Sequence, residues 1–219
     1  MSAGAGRTVR RRRALAWSAA GAGLLGASFA ARPGSRAFYG FTFALAGTWI
    51  AGAWTARPAS PVGARAGVTP VAVPVALGAG AAGAFVGAAL IAREIPALNR
   101  ALTSVLSYEH RGSSRLVFAT TLLNGAAEEL FFRGAVYDAV GTPAPVVSST
   151  AVYATVTAAS RNPALVLASV AMGTLFGVER KLTGGVQAPL LTHLTWSALV
   201  LRYLPPLFPP VLRVSAARS

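Results

Sequence analysis

The sequence predicts an all-α fold, a polytopic bundle of about seven transmembrane helices. Of its 219 residues, 54% are hydrophobic and only 12% are charged, whereas a soluble domain carries about 25% charged residues. Six stretches lack charged residues altogether, and each is close to the about 20 residues with which an α-helix crosses a bilayer. These stretches are 14–31, 37–56, 66–92, 139–160, 162–178 and 182–201. The pattern excludes a soluble enzyme, a DNA-binding domain and a disordered tail.

The formal net charge of +14 fits a membrane protein, because the basic residues lie between the apolar stretches. The lipid bilayer, and not nucleic acid, is therefore the expected partner. The chain has no cysteine and two histidines, which excludes disulfides, thiolate zinc sites and a three-histidine metal site. We expect no metal and no other cofactor. Lys181 is the only lysine, and the bias towards arginine, alanine and glycine favours a bacterial source.

The chain is predicted to divide into a basic N-terminal segment (1–13), a single transmembrane domain (14–204) and a C-terminal tail (205–219). The first helix covers 14–31, and the arginines before it favour a cytoplasmic N-terminus by the positive-inside rule. Counted over the whole chain, the segments between the predicted helices place ten basic residues on each side of the membrane, so the orientation rests on the first helix. The same stretch also has the shape of a secretory signal peptide, with Ser28 and Ala30 at a small-residue cleavage site.

The second predicted helix spans 37–56 and the third 70–92, with a loop rich in proline, glycine and arginine between them (57–67). The segment 93–114 mixes charged residues with apolar residues at roughly helical spacing. This spacing predicts an amphipathic helix at the membrane interface. A solvated loop between two spans is an equally good interpretation.

Four more helices are predicted in the second half of the chain. They span 116–132, 143–160, 163–178 and 186–204. The fifth and sixth predicted helices begin at prolines, which the first turn of a helix accepts. Gly173 and Gly177, four residues apart, favour close packing of the sixth predicted helix on a neighbour.

Two of the six acidic residues, Glu128 and Glu129, are adjacent within the fourth predicted helix. A charged group at membrane depth costs about 2.5–3.5 kcal/mol, so it persists where it is paired or faces a wet cavity. Glu129 and Arg133 are i and i+4, the favourable order for a salt bridge, whereas Phe132 takes that position relative to Glu128. Glu128 is therefore predicted to point into the bundle as a general base. The alternative is that both glutamates cap a helix end at the interface while Arg133 snorkels towards the headgroups.

His193 and Ser197 are also i and i+4, so they share one face of the seventh predicted helix. Pro189 is expected to kink this helix just before His193, because it cannot donate to the carbonyl of Gly185. A histidine in an apolar helix is often a packed structural residue. His193 is nevertheless a candidate for a functional site, since it is one of two histidines and lies in a chain with a membrane-depth glutamate pair.

The Glu-Glu-x-x-x-Arg motif at 128–133 is followed by a Gly-x-x-x-Gly helix and by a Thr-Gly-x-x-x-Ala-Pro-x-x-x-His stretch that ends at His193. Together these motifs resemble the CAAX prenyl protease and bacteriocin-processing family, also called CPBP or Abi proteins, over about 116–197. That family consists of α-helical intramembrane endopeptidases that need no metal. The resemblance implies hydrolysis of a hydrophobic or prenylated peptide associated with the membrane.

The resemblance also implies a role for each matching residue. Glu128 would activate a water molecule, Glu129 and Arg133 would support the site, and His193 would help to stabilise the oxyanion. Ser197 stands where the family has an asparagine and can still donate a hydrogen bond. Thr157 ends the stretch Tyr-Ala-Thr-Val-Thr, which takes the place of the family's Phe-x-x-x-His motif. Threonine cannot share a proton near neutral pH as the family's base-assisting histidine can.

Two other functions stay open at this point. A family pseudoenzyme would keep the fold and bind a membrane partner. A small transporter would use Glu128 as its intramembrane carboxylate. The substrate, the source organism and the oligomeric state do not follow from the sequence.

Overall fold

The computed structural model describes residues 3–56, 70–140 and 143–209, and every regular element in these ranges is helical. The all-α prediction is therefore confirmed. The predicted loop 57–67, residues 1 and 2 of the basic segment and residues 210–219 of the tail lie outside the described residues.

Nine α-helices are described, together with a π-helical segment. The α-helices are α1 (Ala3–Ala30), α2 (Arg36–Ala56), α3 (Ala72–Ala92), α4 (Pro96–Arg111), α5 (Ser114–Glu128), α6 (Tyr137–Val140), α7 (Pro145–Thr157), α8 (Pro163–Thr183) and α9 (Gln187–Tyr203). The π-helical segment Glu129–Val136 joins α5 to α6, and the 3-10 turns Ala158–Ser160 and Pro205–Leu207 follow α7 and α9. Helix α1 includes most of the predicted basic segment, so those arginines lie on the first helix and not before it.

The ends of α8 show why the chain changes direction there. Asn162 caps its N-terminus, because the side-chain oxygen accepts hydrogen bonds from the backbone N–H groups of Ala164 and Leu165. Pro163 follows at the first helical position, where its missing N–H is not needed. Gly184 ends the helix with a φ of 73°, a left-handed conformation that glycine adopts without strain.

The charged segment before α5 forms a helix and not a loop. Helix α4 covers most of the predicted amphipathic stretch and buries Ala101 and Leu106. The hydroxyl of Tyr108 donates to the backbone carbonyl of Phe29 at 2.7 Å, which ties α4 to α1.

The bundle is built from pairs of neighbouring helices. Helix α1 packs on α2, which packs on α5 and the π-helical segment, while α7 packs on α8 and α9 packs on α3, α5 and α8. The predicted close approach at Gly173 and Gly177 is present: a Cβ on Gly173 would lie 3.1 Å from Thr150 Cγ2 of α7, and one on Gly177 would lie 3.0 Å from Val146 Cγ1.

Two helices among the described residues, α3 and α8, are long and apolar enough to cross a bilayer. Both correspond to predicted spans. The other five predicted spans are helical where the structure describes them, but their passage through a membrane stays a prediction.

Candidate active site

The two adjacent glutamates lie where an α-helix changes into a π-helix. Glu128 ends α5, and Glu129 begins the π-helical segment. Six of the eight residues in that segment are buried, and the ring of Phe131 stacks on Trp49 of α2 with centroids 4.9 Å apart. Such π-helical turns are frequent at functional sites. The two carboxylates at this junction have different surroundings.

Glu129 is fully buried and connects two elements. Its Oε1 accepts a hydrogen bond from Nη1 of Arg133 at 3.2 Å and lies 2.8 Å from Nδ1 of His193 in α9. The salt bridge that the i, i+4 spacing predicts is therefore present, and neither side chain is exposed. Because Arg133 is completely buried, the alternative in which it snorkels towards the headgroups is wrong.

The guanidinium of Arg133 contacts two aromatic rings. Its central carbon is 4.7 Å from the ring centroid of Tyr153 in α7 and 5.1 Å from that of Phe176 in α8. Cation–π contacts of this kind contribute about 0.5–2 kcal/mol each. Gly173 leaves room for the arrangement, since a Cβ there would lie 3.3 Å from Nη2 of Arg133. Arg133 thus connects the π-helical segment to both α7 and α8.

The imidazole of His193 is held by three contacts. Its Nδ1 faces Glu129, its ring stacks on Phe176 at 4.7 Å with an interplanar angle of 20°, and its Nε2 edge lies beside Gly125 of α5. A Cβ on Gly125 would be 3.3 Å from Nε2, so glycine allows the ring to approach α5 closely. These contacts fix the orientation of the ring.

The expected kink at Pro189 is wrong. Helix α9 begins at Gln187, so Pro189 lies in its first turn, where backbone N–H groups have no acceptor within the helix. Gly185 precedes the helix, and its carbonyl is not part of the helical hydrogen-bond pattern.

Glu128 makes no ion pair with any described residue. Its Oε2 accepts one hydrogen bond, from the hydroxyl of Tyr153 at 2.8 Å, and its side chain lines a cavity between the helices. The different jobs that the spacing predicts for the two glutamates therefore have a geometric counterpart. Glu129 contacts both Arg133 and His193. Glu128 uses only Oε2, and its Oε1 has no hydrogen-bond partner among the described residues.

Thr157 borders the same cavity but is not connected to Glu128. Its hydroxyl donates to the backbone carbonyl of Tyr153 at 2.8 Å, within its own helix. Ser197 lies on α9 one turn after His193, is buried, and also lines the cavity.

The cavity has a volume of about 310 Å³, and α5, α7 and α9 all contribute to its wall, as expected for the fourth, fifth and seventh predicted helices. Its polar wall carries Thr120, Thr121, Asn124, Glu128, Tyr153, Thr157, His193 and Ser197. Glu129 and Arg133 are not among the lining residues, so they lie behind this wall. The remaining walls are mainly apolar and come from α1, α2, α4 and α8.

Sequence reasoning missed two polar residues of this wall, Tyr153 and Asn124. The motif predicts only an aromatic residue at Tyr153, but the hydroxyl of Tyr153 distinguishes it from phenylalanine. Asn124 lies one turn before Glu128, and its amide nitrogen donates to the carbonyls of Thr42 and Thr120 at 3.2 and 2.9 Å. The one feature of the sequence that places Asn124 near the site is its spacing of four residues from Glu128, which puts both on one face of α5.

A third missed residue, Glu179 of α8, joins three helices. Its Oε1 lies 2.6 Å from the hydroxyl of Thr192 in α9, and that hydroxyl lies 3.0 Å from the carbonyl of Pro74 in α3. Glu179 is buried and does not line the cavity. Its contacts support the packing of the bundle.

Arg180 anchors the π-helical segment from α8. Its Nε donates to the backbone carbonyl of Arg133 at 2.9 Å, and its Nη2 pairs with Asp138 at 3.2 Å. Burial raises the pKa of Asp138, and the guanidinium of Arg180 offsets part of that rise.

Comparison with known protein families supports the resemblance that the motifs indicate. The family model "Type II CAAX prenyl endopeptidase Rce1-like" matches residues 111–199, a stretch that contains all six residues singled out from the sequence. No curated protein and no solved structure was found to match the chain. The family is one of membrane-bound proteases, and α3 and α8 are consistent with a membrane protein. Residues 111–199 therefore match the Rce1-like type II CAAX prenyl endopeptidase family, in agreement with the resemblance that the motifs indicate.

Proposed function

We propose that this chain is an intramembrane endopeptidase that hydrolyses a peptide bond of a membrane-associated hydrophobic substrate with a water molecule activated by Glu128. The observation that carries the proposal is the shared cavity. Glu128 and His193 come from different helices and both line it, while the charges of Glu129 and Arg133 are paired behind it. This is the arrangement that a general base and an oxyanion donor need.

The reaction follows from the free carboxylate oxygen of Glu128. Water gives a proton to Oε1 while its oxygen attacks the carbonyl carbon of the substrate. His193 stabilises the oxyanion from Nε2, and such a donor contributes about 2.7–4 kcal/mol to transition-state stabilisation. The C–N bond then breaks as Glu128 passes its proton to the leaving nitrogen. The products are a peptide with a new carboxyl terminus and a peptide with a new amino terminus.

An oxyanion donor needs a proton on Nε2 of His193. Nδ1 faces the carboxylate of Glu129 at 2.8 Å, so Nε2 is the ring nitrogen left for the substrate.

The apolar walls of the cavity support a hydrophobic or prenylated peptide as the substrate. Side chains such as Phe29, Leu45 and Leu106 come from three different helices outside the polar wall. We further propose a multi-pass arrangement in a bacterial cell membrane, with the N-terminus in the cytoplasm because arginines precede the first apolar stretch.

A catalytically impaired pseudoenzyme that binds a membrane partner is the second candidate. One observation favours it: the hydroxyl of Thr157, at the position of the family's base-assisting histidine, is bonded to its own helix. In that case the cavity would hold a peptide segment without cleaving it.

Hydrolysis of a reporter decides between the two candidates. The full chain is reconstituted in liposomes with a fluorogenic, farnesylated hydrophobic peptide, and cleavage is compared with that of Glu128→Gln, which keeps the shape of the side chain. The endopeptidase hypothesis predicts cleavage by the native chain and at least about a 100-fold loss in the variant. Binding of the peptide to both proteins without cleavage by either would favour the pseudoenzyme.

A further inference from the structure

The second motif of this chain differs from the family pattern at two positions and not one. Histidine is replaced by Thr157, and the preceding phenylalanine is replaced by Tyr153. The first change removes a proton-sharing group from the site, and the second adds a hydroxyl. The hydroxyl of Tyr153 donates to Oε2 of Glu128 at 2.8 Å.

We propose that Tyr153 is the positioning residue of Glu128 and takes over the task that the missing histidine leaves. The inference rests on the proposed endopeptidase function and adds to it the group that holds the general base. It assigns no such role to Thr157, whose hydroxyl is bonded to the carbonyl of Tyr153.

Packing fixes the position of the Tyr153 hydroxyl. Its ring lies 4.7 Å from the guanidinium carbon of Arg133 and 4.8 Å from the ring of Phe132. Its Cδ1 would be 3.3 Å from a Cβ on Gly173. A donor held in this way directs one carboxylate oxygen without reorganisation during the reaction.

The chemistry requires Tyr153 to keep its proton throughout. A phenol stays protonated near neutral pH, so it donates to Oε2 of Glu128 before and after proton transfer. Oε1 takes the proton of the attacking water and returns it to the leaving nitrogen. Because a hydrogen bond to a carboxylate is stronger than one to a neutral acid, Tyr153 favours the ionised form that acts as the base.

Replacing the hydroxyl tests this role. We expect Tyr153→Phe to lower kcat by at least about 100-fold with little change in KM, because the ring and its packing remain. Tyr39→Phe is the matched control: its hydroxyl accepts from the backbone N–H of Ser113, and Tyr39 does not line the cavity. The control should keep the native kcat.

The double variant Tyr153→Phe with Thr157→His restores the family's Phe-x-x-x-His pattern. We expect it to recover at least about tenfold in kcat over Tyr153→Phe, which a merely structural tyrosine would not allow. Native kcat in Tyr153→Phe, with Glu128→Gln inactive, would overturn the inference and leave the endopeptidase function standing. Loss without recovery, in protein of native thermal stability, would also overturn it.

If the native chain shows no hydrolysis, the proposed function is overturned, and the role of Tyr153 needs a measurement that does not depend on turnover. The infrared carboxyl band of Glu128 is identified by its loss in Glu128→Gln. It should shift in Tyr153→Phe and not in Tyr39→Phe. An unchanged band in Tyr153→Phe would overturn the inference whatever the activity.

Discussion

Glu129 contributes to the stability of the fold through contacts that are buried away from water. Its carboxylate, the guanidinium of Arg133 and the imidazole of His193 are all buried and joined by contacts of 2.8 and 3.2 Å. Glu128 is different, because its one hydrogen-bonding partner is the neutral hydroxyl of Tyr153. The two glutamates are therefore expected to contribute different amounts to the free energy of unfolding.

We expect Glu129→Ala to lower the free energy of unfolding by about 3–5 kcal/mol, because Arg133 then lies buried without its counter-charge. Glu128→Ala should lower it by about 1 kcal/mol or less, since it removes one hydrogen bond at a cavity. Unfolding of both variants in detergent, followed by circular dichroism, measures the difference. Equal losses would contradict the assignment of separate jobs to the two carboxylates.

Contacts within one helix were predictable at this scale, and contacts between helices were not. The pair Glu129 and Arg133 follows from a spacing of four residues. The partners of His193 and Glu128 are 64 and 25 residues away along the chain, and no local rule gives their geometry. The hydroxyl of Tyr153 was visible in the sequence, but its direction depends on how α7 packs on α5.

At the scale of helices, small residues decide which elements approach. Gly177 of α8 faces Val146 of α7, where a Cβ would lie 3.0 Å from Cγ1 and 3.5 Å from Cα. We expect Gly177→Ala to destabilise the protein by about 1–3 kcal/mol through overpacking, as measured by thermal unfolding in detergent.

Gly80→Ala on α3 is the matched control for Gly177→Ala, because a Cβ on Gly80 meets nothing within 4 Å. It should stabilise its helix by about 0.5–1 kcal/mol, the usual gain of alanine over glycine. Equal stability of the two variants would show that α7 and α8 are not packed as described.

The apolar stretches and the prolines predict where helices occur. They do not predict where each helix begins or where the π-helical segment lies. Pro163 marks the start of α8 because proline fits the first turn. Pro189 likewise lies in the first turn of α9. The uncharged residues before it, however, favoured a helix that begins earlier and is kinked at Pro189. The π-helical segment after Glu128 has no signal in the sequence, because its buried aromatic residues fit an ordinary α-helix equally well.

At the scale of the whole molecule, large apolar side chains point outwards from the described bundle. Leu167 of α8 is 59% exposed, and Val73 of α3 is 56% exposed. Apolar surface of this extent calls for a covering environment, which a bilayer supplies. Whether each helix crosses the bilayer must therefore be measured on the protein in a lipid membrane.

Single cysteines answer that question without background, because the chain has none. Suitable positions are Phe43 in α2, Leu77 in α3 and Val170 in α8, which are 47%, 42% and 47% exposed. We expect cysteines there to resist a water-soluble maleimide in intact membranes and to react after unfolding, because lipid covers them. A cysteine at the exposed Ser113 should react without unfolding. Reaction of the first three in intact membranes would refute their spans.

The most direct test of the central claim is the origin of the oxygen in the cleaved bond. The reporter peptide is cleaved by the reconstituted chain in water labelled with heavy oxygen, and the products are analysed by mass spectrometry. Attack by a Glu128-activated water predicts one heavy oxygen in the new carboxyl terminus with the native chain, and no cleavage with Glu128→Gln. Cleavage by Glu128→Gln at the native rate, or a product without heavy oxygen, would contradict the account.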